Sequence, residues 1–195
     1  LTRVLLDRPG IVVAENAILA AAAGDVACFL DDDAIARPSW LENLARHYEA
    51  DAGVGGVAGP AINVAGGVPA PARARFRNRL IFPGLVLDQS TRHTRGVVEV
   101  DHFRGANMSL RLDALRACGG FESRLLGDCF RFELDACLGV KKQGLRLLFD
   151  PAVEADHQAA SDRSTHRRLP YGAVHRVDRR RARDPLADPR HRACR

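Results

Sequence analysis

The fold class is indicated first by Val26-Ala27-Cys28-Phe29-Leu30-Asp31-Asp32-Asp33, an apolar run that ends in three consecutive carboxylates. The apolar part is short and bounded by turn residues, which predicts a buried strand over residues 25–31. Side chains alternate along an extended chain, so Asp31 and Asp33 are expected on one face and Asp32 on the other. Adjacent carboxylates repel one another unless a cation holds them, which makes this a candidate metal site. A solvated acidic turn is the alternative that the triplet alone leaves open.

Helical patterns stand on both sides of this strand. Residues 15–23 are rich in Ala and precede Gly24, which predicts a helix with a glycine just past its end. A second helix is predicted to begin at Pro38 and Ser39, where Trp40 starts a stripe of core-facing residues. That period favours packing over sugar binding for Trp40. The order of helix, glycine, strand and acidic loop predicts an α/β fold.

The rest of the chain continues this alternation. Strands are predicted at 54–60, 96–100 and 145–149, and helices at 112–118 and 130–143. Residues 63–95 hold several Gly, Pro and Arg without a sustained period, which predicts a long surface loop. We therefore expect one folded domain over residues 1–160. Residues 161–195 contain eleven Arg and four Asp and are predicted to form a disordered basic tail.

Composition excludes several classes of protein. The apolar stretch 17–30 is interrupted by Gly24 and Asp25, so it lacks the roughly 20 apolar residues that a membrane span needs. The 5 cysteines have no Cys-x-x-Cys spacing and are odd in number, which argues against a zinc site or a disulfide framework and fits the cytosol. Membrane contact would then be peripheral. The basic tail lacks aromatic interleaving, so nucleic acid is not an expected partner.

A series of motifs follows the triplet in a definite order: Gly105-Ala106-Asn107-Met108-Ser109-Leu110-Arg111, Gly119-Gly120-Phe121-Glu122, Glu133-Leu134-Asp135-Ala136-Cys137-Leu138, Gly144, Asp150-Pro151 and His157. Together with the triplet and Trp40, this series resembles the family 2 glycosyltransferases of the GT-A fold. The resemblance covers about residues 1–160. It implies the Rossmann-like mixed sheet, flanked by helices, of nucleotide-diphospho-sugar transferases. It also implies sugar transfer from a nucleotide-diphosphate sugar to a saccharide, lipid or other hydroxyl acceptor by a single inverting displacement.

The resemblance assigns the acidic triplet to the donor. A divalent cation between carboxylate and phosphate oxygens stabilises the charge that develops on the diphosphate, and Mg2+ and Mn2+ both suit such oxygens. We expect Asp33 to bind the metal directly, and Asp31 to contact the nucleotide ribose or metal-bound water. Asp32 is expected to lie behind them, in a supporting position. His157 falls where some members contact metal or diphosphate, although a surface or packing role is equally open.

The resemblance also suggests residues for the acceptor. In relatives the base that activates the hydroxyl is the Asp of a Glu-Asp pair, and here Glu133 stands at that position with Asp135 two residues later. On a helix these two lie about 200° apart, so they cannot both face one site; acidic residues favoured by a helix N-terminus are the alternative. Gly105 would let a sugar approach the backbone. Asn107 would bind substrate or hold a turn.

Two departures from the family lead to a competing hypothesis. Relatives place a strand and a nucleotide-binding loop well ahead of the acidic motif, whereas only 30 residues precede Asp31 here and the chain starts with Leu1. An N-terminally truncated domain is therefore expected. Relatives also commonly carry Arg where this chain has Glu15, which reverses the charge near the diphosphate. The alternative to an active glycosyltransferase is a non-catalytic remnant that binds at most a metal or a partner.

Overall fold

The computed structural model describes residues 3–7, 9–65, 68–69, 78–81, 85–87, 96–124 and 131–158. Helices span Ile11–Ala21 (α1), Trp40–Ala50 (α2), Leu112–Ala117 (α3) and Phe132–Lys141 (α4). Strands span Val26–Leu30 (β1), Ala34–Ala36 (β2), Val54–Ala58 (β3), Ala61–Ala65 (β4), Val68–Pro69 (β5), Arg79–Ile81 (β6), Leu85–Leu87 (β7), Val98–Val100 (β8), Asn107–Arg111 (β9), Arg146–Phe149 (β10) and Ala155–His157 (β11). The α/β class predicted from the sequence is confirmed.

Two mixed sheets organise these elements. The larger has the strand order β1-β9-β3-β10-β8, in which β3 and β10 are parallel and the other neighbours antiparallel. The smaller has the order β2-β11-β4-β5, in which β11 runs parallel to β4 and antiparallel to β2. Strands β6 and β7 form a separate antiparallel pair. The smaller sheet matters for function because β2 continues directly from the acidic triplet.

Helices cover the larger sheet through two apolar clusters. One cluster joins α1, α3 and α4 to the strands through residues such as Phe103, Leu115 and Leu147. The other joins Trp40 and its neighbours on α2 to Val57 of β3. Because helices meet it through both clusters, every residue of β3 is buried. Trp40 is 8% exposed, which confirms that it packs in the core.

Strand β1 forms where the sequence predicts a strand, but the prediction that it is buried is wrong. Among the described strands it pairs with β9 alone and lies at the edge of the larger sheet. As a result Cys28 and Leu30 are exposed, whereas Phe29 faces the core. Apolar composition alone does not distinguish an edge strand from a central one.

Helix α1 begins and ends earlier than predicted, and Gly24 is not its terminal glycine. Contacts with α3 and the turn after it replace the expected cap. The Arg116 guanidinium donates to the carbonyl oxygens of Leu19 at 2.8 Å and Ala22 at 2.6 Å. The Asn16 amide both donates to and accepts from the backbone of Phe121, at 2.8 and 2.9 Å. Tertiary hydrogen bonds therefore satisfy the helix end that the sequence leaves open.

Two further expectations need correction. The segment 63–95 is not one loop, because β4 includes its first residues and β5, β6 and β7 lie within it. Asn107, which ends the segment 105–107 expected to lie at the acceptor, is the first residue of β9, and β9 lies between β1 and β3. Phe130 and the tail 161–195 lie outside the described residues. Within the described part of the chain, no helix is both long and apolar enough to cross a membrane.

Candidate functional site

The acidic triplet forms the turn that joins the two sheets. Strand β1 ends at Leu30, and the amide of Ala34 donates to the Asp31 carbonyl oxygen at 2.9 Å, which closes the turn. Strand β2 then pairs with β11, with His157 opposite Ala34. The amide of Gln158 donates to the Asp33 carbonyl oxygen at 2.8 Å. The pairing of β2 with β11 therefore brings His157 to the triplet.

Three side chains from these two segments converge. The His157 Nε2 atom lies 3.2 Å from Asp33 Oδ1 and 3.5 Å from Asp31 Oδ2. One ligand atom from each of the three lies within 4.8 Å of the others, and all three residues are half-buried. Asp32 is exposed and does not belong to this cluster. The expectation that Asp31 and Asp33 share a face is confirmed.

Asn63 contacts the other side of the imidazole ring. It lies opposite His157 in the parallel pairing of β4 with β11, and its Oδ1 is 3.1 Å from His157 Nδ1. An amide oxygen can only accept, so in this arrangement Nδ1 is the donor. Sequence reasoning missed Asn63 by assigning it to a loop. The alternation of polar Asn63 with apolar Ile62 and Val64 is the signal that could have indicated a strand.

Asn107 lies in the core, where it pairs with Leu30, the last residue of β1. It is 2% exposed, and its Oδ1 accepts from Trp40 Nε1 at 2.9 Å. Its Nδ2 donates to the carbonyl oxygens of Pro60 at 3.1 Å and Val153 at 2.8 Å. These bonds occupy both N–H groups and the oxygen of the amide, which favours a structural role for Asn107 over substrate binding. Asn107 instead ties α2 to the segments that lead into β4 and β11.

Gly105 also has a packing explanation. A Cβ atom there would lie 3.2 Å from the ring of Phe132, the first residue of α4. The missing side chain thus makes room for an aromatic ring, where the resemblance implied room for a sugar. Phe121 is 5.4 Å from the Phe29 ring on one side and 5.4 Å from the Phe132 ring on the other. Phe121 therefore links the first residue of α4 to β1 through two ring contacts.

Glu133 and Asp135 lie in the first turn of α4 but have different surroundings. Burial raises the pKa of Cys137, and the Glu133 carboxylate adds to that shift. Burial also raises the pKa of Cys118 on the α3 side, where Asp135 contributes. Glu133 is half-buried, whereas Asp135 is exposed. The two carboxylates therefore face different sides of the helix, as the helical period predicts.

Comparison with known proteins decides the family. The profile of "Glycosyl transferase family 2" matches residues 4–111, which is more than half of the chain. The chain belongs to this family. Among solved structures, this chain is similar to one described as GalNAc-T7 with UDP, GalNAc and Mn2+, with a TM-score of 0.59 and 16% identity. The match covers 76% of this chain and 30% of that one, and it shows a shared GT-A fold. No match was found among curated proteins.

One further carboxylate of this family member interacts electrostatically with the cluster. Glu15 is on α1, and burial together with the nearby charge of Asp31 raises its pKa to about 7. The sequence indicated that Glu15 reverses the charge usual at this position, and the structure places that charge beside Asp31. Its carboxyl group therefore changes charge near neutral pH, close to the side chains that form the cluster.

Proposed function

We propose that residues 1–160 form the catalytic domain of an enzyme that transfers a sugar from a nucleotide-diphosphate sugar to an acceptor hydroxyl, with inversion at the anomeric carbon. The convergence of Asp31, Asp33 and His157 carries this proposal. Family membership and the GT-A fold make sugar transfer the reaction class. The structure described with UDP and Mn2+ makes a UDP-sugar with Mn2+ the first combination to test.

The donor set of the cluster fits a divalent cation. With Nδ1 donating to Asn63, the Nε2 lone pair faces the two carboxylates, so three electron-rich groups point at one another. Such an arrangement requires a shared cation, either a proton on Nε2 or a metal ion. Oxygen-rich sets with one imidazole suit Mn2+, and carboxylates also suit Mg2+. When bound, the metal would neutralise charge on the departing diphosphate.

One group of side chains would bind the donor, and another would activate the acceptor. Asp33 and His157 would hold the cation, and Asp31 would contact it or the nucleotide ribose. Asp32 is exposed and would contact the donor only from outside the cluster. Glu133 would accept the proton of the acceptor hydroxyl as its oxygen attacks the anomeric carbon, while the bond from that carbon to the diphosphate oxygen breaks. The negative charge of Asp135 in the first turn would stabilise the N-terminus of α4.

The metal assignment is tested by transfer and hydrolysis assays with a panel of UDP-sugars, in Mn2+ or Mg2+. We expect Asp33→Ala to lower turnover on the order of 100-fold, because charge on the leaving group loses its stabilisation. The control is Glu49→Ala, which removes an exposed carboxylate of α2 that has no role in the proposed site and should leave most activity. Unchanged turnover in Asp33→Ala overturns the assignment.

The base assignment is tested by comparing Glu133→Gln with Asp135→Asn. Loss of a general base costs about 100-fold or more in kcat, so we expect Glu133→Gln to lose activity and Asp135→Asn to retain most of it. The opposite result moves the base to Asp135. Metal binding with no transfer or hydrolysis by the wild type would support the alternative of a non-catalytic, metal-binding domain. We further propose that the enzyme acts in the cytosol and that its acceptor is a hydroxyl group of a saccharide or a lipid.

A further inference from the structure

We propose that Asn63 is a positioning residue, which orients the imidazole of His157 so that Nε2 is available to a divalent cation. The inference rests on the metal site proposed above. Its basis is the contact of 3.1 Å between Asn63 Oδ1 and His157 Nδ1. The two residues are register partners on adjacent parallel strands, so the contact follows from the sheet.

The strands that carry these two residues are held together without the Asn63 side chain. The amide of Ala155 donates to the Pro60 carbonyl oxygen at 3.0 Å, at the start of both strands. The Asn107 amide donates to the carbonyl oxygens of Pro60 and Val153 just before them. Asn63 itself is exposed. Its substitution should therefore leave the sheet intact and change the local contacts of the imidazole.

The chemistry of the imidazole explains what Asn63 does. A neutral ring has one N–H donor and one lone pair, and a metal takes the lone pair. Donation from Nδ1 to the amide oxygen keeps the proton on the side away from Asp31 and Asp33. Without that acceptor, the ring is free to rotate about χ2 and to carry its proton on Nε2, which then donates to Asp33. Hydrogen bonds of this kind are worth about 10–100-fold in metal affinity; we expect about tenfold, since water replaces part of an exposed contact.

The experiment titrates Mn2+ alone into the metal-free full chain and follows free Mn2+ by electron paramagnetic resonance. Pulsed spectra of the bound ion then report whether an imidazole 14N nucleus is coordinated. The variants are Asn63→Ala, Asn63→Asp and His157→Ala. The matched control is Asn43→Ala, because the Asn43 amide donates to the Ala152 carbonyl oxygen, away from His157. Circular dichroism checks that each variant is folded.

We expect wild type and Asn43→Ala to bind Mn2+ with the imidazole signal. In Asn63→Ala the affinity falls about tenfold and the signal weakens towards that of His157→Ala. Asn63→Asp restores the signal, because a carboxylate also accepts from Nδ1. The nitrogen signal is the decisive readout for this variant, since an added charge raises affinity without restoring coordination by nitrogen.

Different results overturn different statements. If Asn63→Ala binds Mn2+ as tightly as wild type and keeps the 14N signal, the role of Asn63 is wrong and the metal site stands. Failure of Asn63→Asp to restore the signal also contradicts the acceptor role. If the wild type binds no Mn2+, the proposed metal site is wrong and the inference fails with it. If the wild type binds Mn2+ without the 14N signal, His157 is not a ligand of the metal, and the inference fails as well.

Discussion

The Glu15→Gln substitution tests the electrostatics around the cluster. Glu15 is half-buried on α1, where burial and then the charge of Asp31 raise its pKa from 4.5 to about 7. Glutamine has nearly the shape of the protonated acid and cannot ionise. The substitution therefore removes the cost of holding a charged carboxylate at this position and leaves the packing nearly unchanged.

The raised pKa fixes the direction of the pH dependence. Between pH 4.5 and about 7, the folded state keeps the Glu15 proton while the unfolded state has lost it. The unfolded state then binds fewer protons, so the free energy of unfolding falls as pH rises through this window. The full change in pKa corresponds to about 3 kcal/mol. Solvent screening at this partly exposed site reduces it to roughly 1–2 kcal/mol.

The assay is urea unfolding of metal-free protein, with EDTA present, at about pH 4 and about pH 8. Near pH 4 Glu15 is protonated in both the folded and the unfolded state, so we expect Glu15→Gln to match wild type there and to be more stable by roughly 1–2 kcal/mol near pH 8. The exposed Glu49 on α2 provides the control, since Glu49→Gln should change stability by less than about 0.5 kcal/mol at either pH. If Glu15→Gln differs from wild type by the same amount at both pH values, the pKa of Glu15 is not raised in the folded protein.

Three further substitutions test the framework of the site. Asn107→Ala leaves buried partners of its amide unsatisfied, so urea unfolding should show a loss of about 2–4 kcal/mol; a loss under about 1 kcal/mol contradicts this account. In Gly59→Ala the new Cβ would lie 1.8 Å from the Val153 carbonyl oxygen, and we expect a lower melting temperature and weaker Mn2+ binding. Gly96→Ala, with open space around the added atom, is its control and should change neither. Arg116→Met removes the donors to the end of α1, so hydrogen exchange there should be faster, and unchanged exchange would show that the cap is dispensable.

Local pattern was enough to predict many elements and part of the site. The strand before the triplet and the helix that starts at Trp40 follow from side-chain periodicity, which neighbouring residues determine. Asp31 and Asp33 do lie on one side, but a turn that follows Leu30 brings them together and not the alternation of a strand. Strand β9 was missed because the resemblance assigned Gly105 and Asn107 to the acceptor, although polar and apolar residues alternate along Asn107–Arg111 as in a strand. Ser109 in this strand is fully buried, and burial of its hydroxyl group is tolerated because the hydroxyl donates to the Val57 carbonyl oxygen at 2.7 Å. A partner that distant in sequence cannot be inferred from a local window.

The α/β class, the acidic residues at the end of a strand and the resemblance to family 2 glycosyltransferases could all be recognised from the amino-acid sequence. Which side chains meet at the acidic turn depends on the pairing of strands in the folded protein. His157 reaches Asp31 and Asp33, and Asn63 reaches His157, because β11 pairs with β2 on one side and β4 on the other. Periodicity specifies the direction of a side chain within its own element. Convergence depends on the register between strands far apart in the chain, which backbone hydrogen bonds and the buried Asn107 amide hold in place.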